Sequence, residues 1–335
     1  MQPVKVSVII VSVNHPELLG QCLDSLRKWT TATPFETWVV AHRFTGENLS
    51  WLRTAHPWVH VIESGGTKGF SENNNLALER ATGEYCFLLN DDTVLESPVV
   101  DRLAADLDAR PEIAMVSPVL VCGDGRVQFK GSARMTAWRW FLREMRWNRK
   151  RRKVPPEEGG SDNPKGLYRT YHLMGAALMA RRKVLDALGR LDERYFFGPE
   201  DTALTEKANA NGYECYVDGD VRLPHLKSES LHHAFIPVMM ALQRGYILYY
   251  GRGGFWARCW IRFLACARDL CKLAYWSLKG KDENAAIHRR AAWALFREVG
   301  SRKSPKELFE SYREKSAGGA RTWRADESRE KGGAR

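Results

Sequence analysis

The first 122 residues alternate between short apolar runs and segments of helical periodicity, and this alternation limits the possible folds more than any other feature. Val4–Val13 is rich in β-branched residues and almost wholly apolar, as a strand buried on both faces of a sheet should be. A helical pattern opens at Pro16, and strand-like runs follow at Glu36–Ala41, Val59–Glu63 and Glu84–Leu89. Strands and helices alternating at this spacing predict an α/β protein with a mostly parallel central sheet and flanking helices.

Polar residues stand directly after several of these predicted strands. Asn14, residues 63–70 and residues 90–92 each follow a strand-like run. Ligands of parallel sheets bind beyond the carboxyl ends of the strands, so we expect these segments to lie at one edge of the sheet. The sequence therefore predicts a single binding site built from dispersed segments.

The strand-like run Tyr85–Leu89 ends abruptly in Asn90-Asp91-Asp92. Hard divalent cations prefer oxygen ligands and often bridge carboxylates to substrate phosphates. Adjacent acids also suit a plain strand end that caps the following segment, and for an isolated pair that is the commoner role. The buried strand before the acids and the net charge of +11, which favours anionic ligands, shift the interpretation toward metal binding.

A second acidic pair, Glu200-Asp201, opens a predicted helix more than a hundred residues later. The helix dipole stabilises ionised carboxylates at that position, which is the state that a general base requires. Helix capping and catalysis are therefore compatible roles for this pair. His225 follows another strand-like run, where a lone histidine usually has a structural role.

Composition narrows the class of protein. The 335 residues are 44% hydrophobic, which is enough for a sizeable core. The seven cysteines are scattered without a CxxC pair, as expected for reduced thiols in the cytosol. The sequence shows no signal-peptide pattern, and its longest apolar stretch, Ser230–Gln243, is too short to cross a bilayer. We expect a protein that is not integral to a membrane.

Two segments combine aromatic and basic residues. Residues 134–153 interleave Trp138, Trp140, Phe141 and Trp147 with arginines and lysines, and the polar residues 155–165 after them are expected to be mobile. On a helical wheel of Phe255–Lys279, one arc of roughly a third of the circle holds Arg258, Arg262, Arg268, Asp269, Lys272 and Lys279. This pattern suits either an interfacial helix on an anionic membrane or a helix packed on the protein or on a second subunit. Nucleic-acid binding ranks below both because no motif for it is present.

Five segments in order resemble the family 2 inverting glycosyltransferases of the GT-A (Rossmann-like) fold, and particularly their rhamnosyltransferase-like branch. The matching segments are Val6–Leu26, Lys68–Leu78, Gly83–Leu95, Gly175–Glu193 and Phe197–Tyr216. Each is weakly specific alone, but together they cover roughly residues 4–230 in the family's order. The resemblance implies transfer of a sugar, such as rhamnose or another hexose or deoxyhexose, from a nucleotide-diphosphate donor with inversion at the anomeric carbon.

The resemblance also assigns roles to individual residues. It implies that Asp92 binds Mg²⁺ or Mn²⁺, with Asp91 beside it and His225 near the metal and the diphosphate. It implies that Asp201 is the general base for the acceptor hydroxyl and that Glu200 orients the acceptor or that base. The implied contacts to the nucleotide-sugar are Ser12, Asn14, Lys68, Gly69, Phe70, Asn74, Asn90 and Asp91.

The same resemblance divides the chain into functional segments. Residues 1–230 correspond to the GT-A domain: 1–122 bind the nucleotide-sugar, 123–170 form a basic aromatic insert, and 171–230 bind the acceptor and carry the base. Residues 231–300 are expected to form an amphipathic helical extension, which is also a possible homo-oligomer contact, and 301–335 a disordered polar tail from which we single out 318–335. The implied acceptor is a glycan or a lipid-linked glycan of cell-surface polysaccharide synthesis, and the implied location is peripheral, on the cytoplasmic face of the cell membrane.

The sequence departs from the family pattern at two positions. Ala41 stands where an aspartate usually contacts the pyrimidine base, so His42 or Arg43 must compensate or base recognition differs. Ala203 stands where the acidic motif commonly continues with another aspartate. These changes leave open a catalytically weak or inactive nucleotide-binding protein, and the basic segments leave open a membrane or nucleic-acid adaptor.

Overall fold

A computed structural model describes residues 3–145, 164–226, 235–298 and 301–314. Trp147, most of the expected mobile segment 155–165 and the expected disordered segment 318–335 lie outside these residues. The chain divides into two compact units, which are described separately. The first comprises residues 1–136, 148–193 and 198–228, and the second comprises residues 137–147, 194–197 and 229–335.

The first unit is a sheet with helices on its faces. Its strands are β1 (Val6–Ser12), β2 (Phe35–His42), β3 (His60–Ser64), β4 (Tyr85–Asn90), β5 (Ile113–Val121), β6 (Val127–Phe129), β7 (Leu167–Thr170), β8 (Ala177–Arg181) and β9 (Glu214–Pro224). Its helices are α1 (Pro16–Trp29), α2 (Gly46–Ala55), α3 (Phe70–Leu78), α4 (Val99–Ala109), α6 (Arg182–Ala187) and α7 (Glu200–Ala210). Two clusters of buried apolar side chains pack against the sheet, so its central strands are covered as their composition predicts.

The strand order is β3-β2-β1-β4-β8-β5-β9-β7, with β6 paired to β5. The first four strands in this order are parallel to one another, and β9 is parallel to β5. Strand β8 lies antiparallel to both β4 and β5, so β5 and β9 run in the same direction as the first four strands. The predicted mostly parallel sheet with flanking helices is therefore confirmed, with β6, β7 and β8 running against the other six strands.

The register aligns the carboxyl ends of the strands that precede the predicted site residues. Ser12 pairs with Ala41, and Ala41 pairs with Glu63 on the next strand. On the other side of β1, Val11 pairs with Asn90. The expectation that residues following these strands meet at one sheet edge is therefore confirmed by the pairing itself.

Helix α3 begins at Phe70, with Gly69 as its N-cap. Ser71, a residue type that often caps helices, instead lies fully buried in the first turn. The Gly69 N–H donates to the Glu72 carboxylate at 2.9 Å, a reciprocal contact of the kind found in capping boxes. This side-chain contact fixes the start of the helix, so a serine cap is not needed.

The second unit is helical. It contains α5 (Ala137–Glu144), α8 (Phe235–Tyr250), α9 (Phe255–Leu278), α10 (Asp282–Arg297) and α11 (residues 305–314). Helix α11 lies within the segment expected to be a disordered tail, which is thus helical in part. In the described part of the chain, no helix has both the length and the apolarity needed to cross a bilayer.

The faces of α9 differ from those expected. Arg268 and Asp269 from the expected basic arc are buried, whereas Trp256, Trp260 and Phe263 are exposed. Arg268 donates to the Asp269 carboxylate at 2.9 Å, and that carboxylate also contacts Gln243 at 2.9 Å and His288 at 3.1 Å. The charges are inside because this network pairs them, which allows burial without an isolated charge.

Candidate functional site

The end of β1 shapes one side of the site. Ser12 is fully buried, and its side chain interacts with the Asp91 carboxyl, where it opposes the rise in pKa that burial causes. Asn14 has a φ of 57°, a conformation that asparagine tolerates better than most residues. Its Oδ1 accepts from the Thr45 N–H at 3.1 Å and from Asn48 Nδ2 at 2.9 Å. This amide oxygen therefore ties the turn after β1 to the start of α2.

Ala41 at the end of β2 is 2% exposed and belongs to the core. Its methyl side chain has no polar atom, so it cannot make the hydrogen bond of an aspartate. Of the two residues considered to compensate, His42 is buried, with Nδ1 3.3 Å from the Ser64 hydroxyl. Burial lowers the His42 pKa, and the charge of Arg43 lowers it further. Arg43 is exposed and is the more accessible of the two.

The loop before α3 lies against the second acidic pair. A Cβ atom at Gly175 would meet the Phe70 ring at 3.3 Å and the Asp201 Cβ at 3.6 Å. Phe70 and Asp201 thus approach each other across a position where only glycine fits without displacement. Of the predicted loop residues, Phe70 is therefore placed beside the predicted base.

Two asparagines of α3, Asn74 and Asn75, make different contacts. Asn74 is buried, and its Nδ2 donates to the Phe70 carbonyl of its own helix at 2.9 Å. Asn75 donates from Nδ2 to the Leu191 carbonyl and to the Glu193 carboxylate, both at 2.9 Å. Asn75, which the sequence interpretation did not select, thus holds α3 against the segment after α6. Asn74, which it did select, makes its described hydrogen bond within α3.

The acidic strand end is held by backbone pairing to the end of β9. The Leu226 N–H donates to the Asp92 carbonyl at 2.7 Å, and the Val94 N–H donates to the Pro224 carbonyl at 3.1 Å. These bonds join the loops that follow β4 and β9, although two strands separate them in the sheet. They bring the dispersed Asp92 and His225 together.

His225 contacts three side chains around this acidic end. Its Nε2 lies 3.1 Å from Asp92 Oδ1 and 3.3 Å from Asn90 Nδ2, and its Nδ1 lies 2.9 Å from Gln128 Oε1. An amide oxygen only accepts, so the contact with Gln128 assigns the proton to Nδ1. The Asp92 carboxylate oxygen also only accepts, so its 3.1 Å contact calls for an N–H at Nε2, and Nε2 could bind a cation only in place of that contact.

Asp91 is half-buried, but its Oδ2 atom is enclosed and has no hydrogen-bond partner among the described residues. Burial raises the pKa of Asp91 to about 7, and the charge of Asp92 contributes to the rise. An enclosed carboxylate oxygen without a donor is a costly arrangement that a cation would relieve.

These residues fit a divalent cation that shares its coordination with a substrate. In the part of the chain that the structure describes, no group of three histidine, cysteine, aspartate or glutamate side chains is arranged as a metal site. Asp92 and His225 are in contact, but Asp91 is not gathered with them into one set of three ligands. Mg²⁺ and similar ions commonly use one or two carboxylates and take their other ligands from phosphates and water. The enclosed Asp91 oxygen and the Asp92 carboxylate meet that requirement.

The second acidic pair begins α7. Glu200 is 8% exposed, and burial raises its pKa to about 8, with repulsion from Asp201 as the smaller cause. The helix dipole was expected to keep such an acid ionised, but desolvation outweighs it for Glu200. Asp201 accepts hydrogen bonds from the Gly175 N–H at 3.2 Å and from the Thr202 N–H, so its carboxylate is held in a fixed orientation.

Residues 175 and 176 connect the two acidic pairs. The Gly175 N–H donates to Asp201 Oδ2 at 3.2 Å, and the Asn90 N–H donates to the Ala176 carbonyl at 2.9 Å. Adjacent backbone groups therefore contact Asp201 and Asn90, the residue just before the first acidic pair, which are separated by more than a hundred residues in sequence. The site joins cation-binding oxygens to an oriented carboxylate.

The sequence interpretation missed Gly175 and Asn75 as individual residues, and it missed Gln128. Gln128 lies on the short strand β6, where a single polar residue gives no periodic signal. Gly175 and Asn75 fall within segments that were selected only as blocks. Their roles depend on contacts across the sheet, which a local pattern does not encode.

Comparison with known proteins identifies the site's relatives. The family described as Glycosyl transferase family 2 matches residues 7–188, more than half of the chain. The O-antigen biosynthesis protein RfbC of Myxococcus xanthus is 28% identical over 240 residues, which cover 70% of this chain and 18% of that protein. The uncharacterized protein y4gI of Sinorhizobium fredii is 27% identical over 256 residues, which cover 74% of this chain and 27% of that protein. The chain thus spans less than a third of the length of these relatives.

Two solved structures share the fold. GalNAc-T7, solved with UDP, GalNAc and Mn²⁺, gives a TM-score of 0.53 at 17% identity, covering 67% of this chain and 44% of that one. The mannosyltransferase PcManGT of Pyrobaculum calidifontis, solved with GDP-Man and Mn²⁺, gives 0.51 at 18% identity, covering 96% and 85%. Together with the sheet and its flanking helices, these similarities confirm the predicted GT-A fold.

Proposed function

We propose, since this chain belongs to glycosyl transferase family 2, that it transfers a sugar from a nucleotide-diphosphate donor to an acceptor hydroxyl and inverts the anomeric configuration. The observation that carries the proposal is the connection through residues 175 and 176. Gly175 donates its N–H to Asp201, and the neighbouring Ala176 accepts from the N–H of Asn90, the residue before the paired acids. When a hydroxyl displaces a diphosphate, the leaving diphosphate needs a cation held by acids such as Asp91 and Asp92. The attacking hydroxyl needs a base such as Asp201.

At the donor end, Asp92 and Asp91 are the residues that would hold Mg²⁺ or Mn²⁺, with His225 beside them. A bound divalent cation supplies positive charge that neutralises the diphosphate and makes it a better leaving group. Gln128 fixes the His225 ring, and His225 in turn contacts Asp92, so both orient the acidic strand end. Ser12, Asn90 and the loop at Lys68-Gly69-Phe70 complete our proposed contacts to the nucleotide-sugar, with Asn14 and Asn74 supporting that loop and the turn after β1.

At the acceptor end, Asp201 takes the proton of the attacking hydroxyl. Its hydrogen bonds to backbone N–H groups fix the orientation of the carboxylate that accepts the proton. Glu200 keeps its own proton at neutral pH, so the pair carries one negative charge rather than two. The protonated Glu200 can donate a hydrogen bond to the acceptor or orient Asp201.

The relatives suggest the biological setting. RfbC is described as an O-antigen biosynthesis protein, and PcManGT was solved with GDP-Man and Mn²⁺. We infer a glycan or lipid-linked glycan acceptor in polysaccharide synthesis and a hexose or deoxyhexose donor, with rhamnose among the candidates. We assign donor binding to residues 1–122 and acceptor binding with the base to 171–230. A lipid-linked acceptor places the reaction at the inner face of the cell membrane.

The test is a panel of nucleotide-sugars measured by thermal shift and by product formation, with and without Mn²⁺. A donor that binds the folded state raises the melting temperature by mass action, and we expect that rise to require the metal. The product of that donor should carry the inverted anomeric configuration by NMR. A metal-independent rise, or a product with retained configuration, would contradict the mechanism.

A second candidate, nucleotide-sugar binding without turnover, is favoured by Ala41 and by Ala203 near the acidic pair of α7. The same panel separates the two. Metal-dependent binding without transfer or hydrolysis for every donor and acceptor offered would support the second candidate. Product formation from any donor would exclude it.

A further inference from the structure

Helix α9 exposes an apolar face without a charged residue. Trp256, Trp260, Phe263 and Leu270 recur at helical spacing, so they lie along one side of the helix. Their exposed fractions are 81%, 52%, 60% and 55%. Single exposed apolar residues are ordinary on protein surfaces, but a continuous row of large ones along a 24-residue helix calls for a partner.

Helix α10 carries a second exposed aromatic pair. Trp293 and Phe296 are 60% and 66% exposed and stack on each other with ring centroids 5.9 Å apart. Arg262 of α9 donates to the Glu298 carbonyl at 2.6 Å, so the end of α10 contacts the first half of α9. We call the six residues Trp256, Trp260, Phe263, Leu270, Trp293 and Phe296 the α9–α10 face.

The charges of α9 and of the turn after it are positive apart from one buried acid, and α10 begins with the two acids Asp282 and Glu283. Between residues 255 and 281 the only acid is Asp269, which is fully buried in its network with Arg268 and His288. The exposed basic residues in this range and along α10 are Arg258, Lys279, Lys281, Arg289, Arg290 and Arg297. An apolar surface with cationic surroundings matches the chemistry of an anionic lipid headgroup layer over its acyl chains.

We propose that the α9–α10 face docks on the surface of an anionic lipid membrane. Tryptophan and phenylalanine enter the boundary between headgroups and acyl chains, while the surrounding arginines and lysines contact lipid phosphates. The charges of α9 at Arg258, Arg262 and Lys272 prevent the helix from crossing the bilayer, so it lies in the interface plane. This inference deepens the proposed location at a membrane and rests on it.

A second copy of the chain fits this surface less well. A symmetric dimer places the same patch against itself, so the basic residues around each face would meet those of the other copy. No acid is exposed between residues 255 and 281, and the two acids that begin α10 are outnumbered by the six exposed basic residues, so like charges brought together oppose association. An anionic membrane instead attracts every one of those charges.

The test is flotation of the full chain with vesicles of pure phosphatidylcholine and with vesicles of phosphatidylcholine and phosphatidylglycerol. We expect binding to the anionic vesicles, weakened by high salt, and little binding to the neutral ones. Trp260→Ser with Phe263→Ser should lower the partition coefficient about tenfold or more, because each exposed ring contributes burial in the interface. The side chains are exposed, so the melting temperature of this variant should stay near that of the parent chain.

A charge-matched pair of variants isolates the role of the surface. Arg289→Glu with Arg290→Glu should weaken anionic-vesicle binding, whereas Arg80→Glu with Lys183→Glu, an equal change on exposed residues of the first unit, should not. Equal losses in both pairs would show a non-specific effect of net charge and overturn the proposal. Unchanged vesicle binding in the aromatic variant, or its conversion of a dimer to a monomer in sedimentation velocity, would overturn it as well. No donor sugar is present, so failure here is distinct from failure of the proposed transfer.

Discussion

Each of the two acidic pairs, Asp91-Asp92 and Glu200-Asp201, holds two carboxyl groups side by side, but the groups that contact the two pairs differ. In each pair burial raises the pKa of the first carboxyl, to about 7 for Asp91 and about 8 for Glu200. The second carboxyl contacts the His225 side chain in the strand-end pair and backbone N–H groups in the helical pair. Adjacent like charges resist ionising together, and in each pair the first carboxyl is the one whose pKa is raised.

The difference between the partners indicates a difference in function. Asp92 contacts a ring nitrogen that can itself serve a cation, so this contact can be rearranged when a cation binds. Asp201 is held by main-chain groups of Gly175 and Thr202, which cannot leave without unfolding the local structure. A flexible polar contact suits ligand exchange, and a fixed carboxylate suits proton transfer.

The largest expected effect is that of Asp201→Asn. The amide keeps the shape of the side chain but cannot take a proton, so kcat should fall about 10³-fold while metal-dependent donor binding persists. Initial rates and donor thermal shifts measure the two separately. Asp186→Asn, an exposed acid on α6, is the control and should retain the parent rate. Parent-like kcat in Asp201→Asn would remove this residue from the role of base.

Asp92→Asn should have the next largest effect and should act on the other end of the donor. Loss of one carboxylate lowers affinity for the cation, so kcat/KM should fall about 10²-fold and recover in part at higher Mn²⁺. Titration of activity against Mn²⁺ measures the shift, with the exposed acid Asp220→Asn as control. An unchanged Mn²⁺ dependence would mean that Asp92 does not bind the metal.

Gln128→Ala tests whether the His225 ring needs its second contact. Removing the partner of a ligand histidine typically costs about 10- to 100-fold in metal affinity or activity, and we expect the lower part of that range. Gln128→Glu should restore the ring orientation, since a carboxylate also accepts from Nδ1. Equal losses in both variants would show that Gln128 acts only through packing.

The smallest effect on activity, but a distinct one on stability, is expected for Glu200→Gln. Because the Glu200 pKa is raised from 4.5 to about 8, the folded state retains a proton that the unfolded state has released between these values. The contribution is therefore fully present below about pH 4.5 and is lost as the pH rises toward 8, by up to a few kcal/mol. Glutamine has no proton to lose, so thermal unfolding of the variant should vary less across this window.

The control for that measurement is Glu17→Gln, an exposed glutamate in the first turn of α1. Its stability should depend on pH as that of the parent chain does. If Glu200→Gln and the parent chain lose stability equally between pH 5 and 8, Glu200 is ionised in the folded state. The pair would then carry two charges, and the division of roles inferred above would be wrong.

The first four parallel strands and the positions of the site residues could be predicted because each depends on a local pattern. An apolar run marks a buried strand, and the carboxyl end of a parallel strand is a geometric fact that needs no tertiary information. Asn14, Asn90 and His225 therefore appear at strand ends, as expected. The GT-A fold followed from the order of five segments, each of which would have been ambiguous alone.

The remaining features depend on contacts that no local pattern encodes. The direction of β8 is set by its neighbours, and the role of Gly175 by the approach of Phe70 and Asp201. The buried side of α9 was left open because apolar residues occupy most of its circumference, so periodicity could not identify it. Pairing of Arg268 with Asp269 decided that side, and such pairing is visible only in three dimensions.

The backbone bonds between residues 92–94 and 224–226 also set an order of events during synthesis. During translation, Asp91 and Asp92 at the end of β4 are synthesised long before His225, which contacts Asp92. Contacts between distant parts of a sequence form slowly, because the intervening loop must first be closed. Full affinity for the donor should thus follow the appearance of the N-terminal sheet, and a fragment ending at residue 122 should bind a donor more weakly than the full chain because it lacks His225.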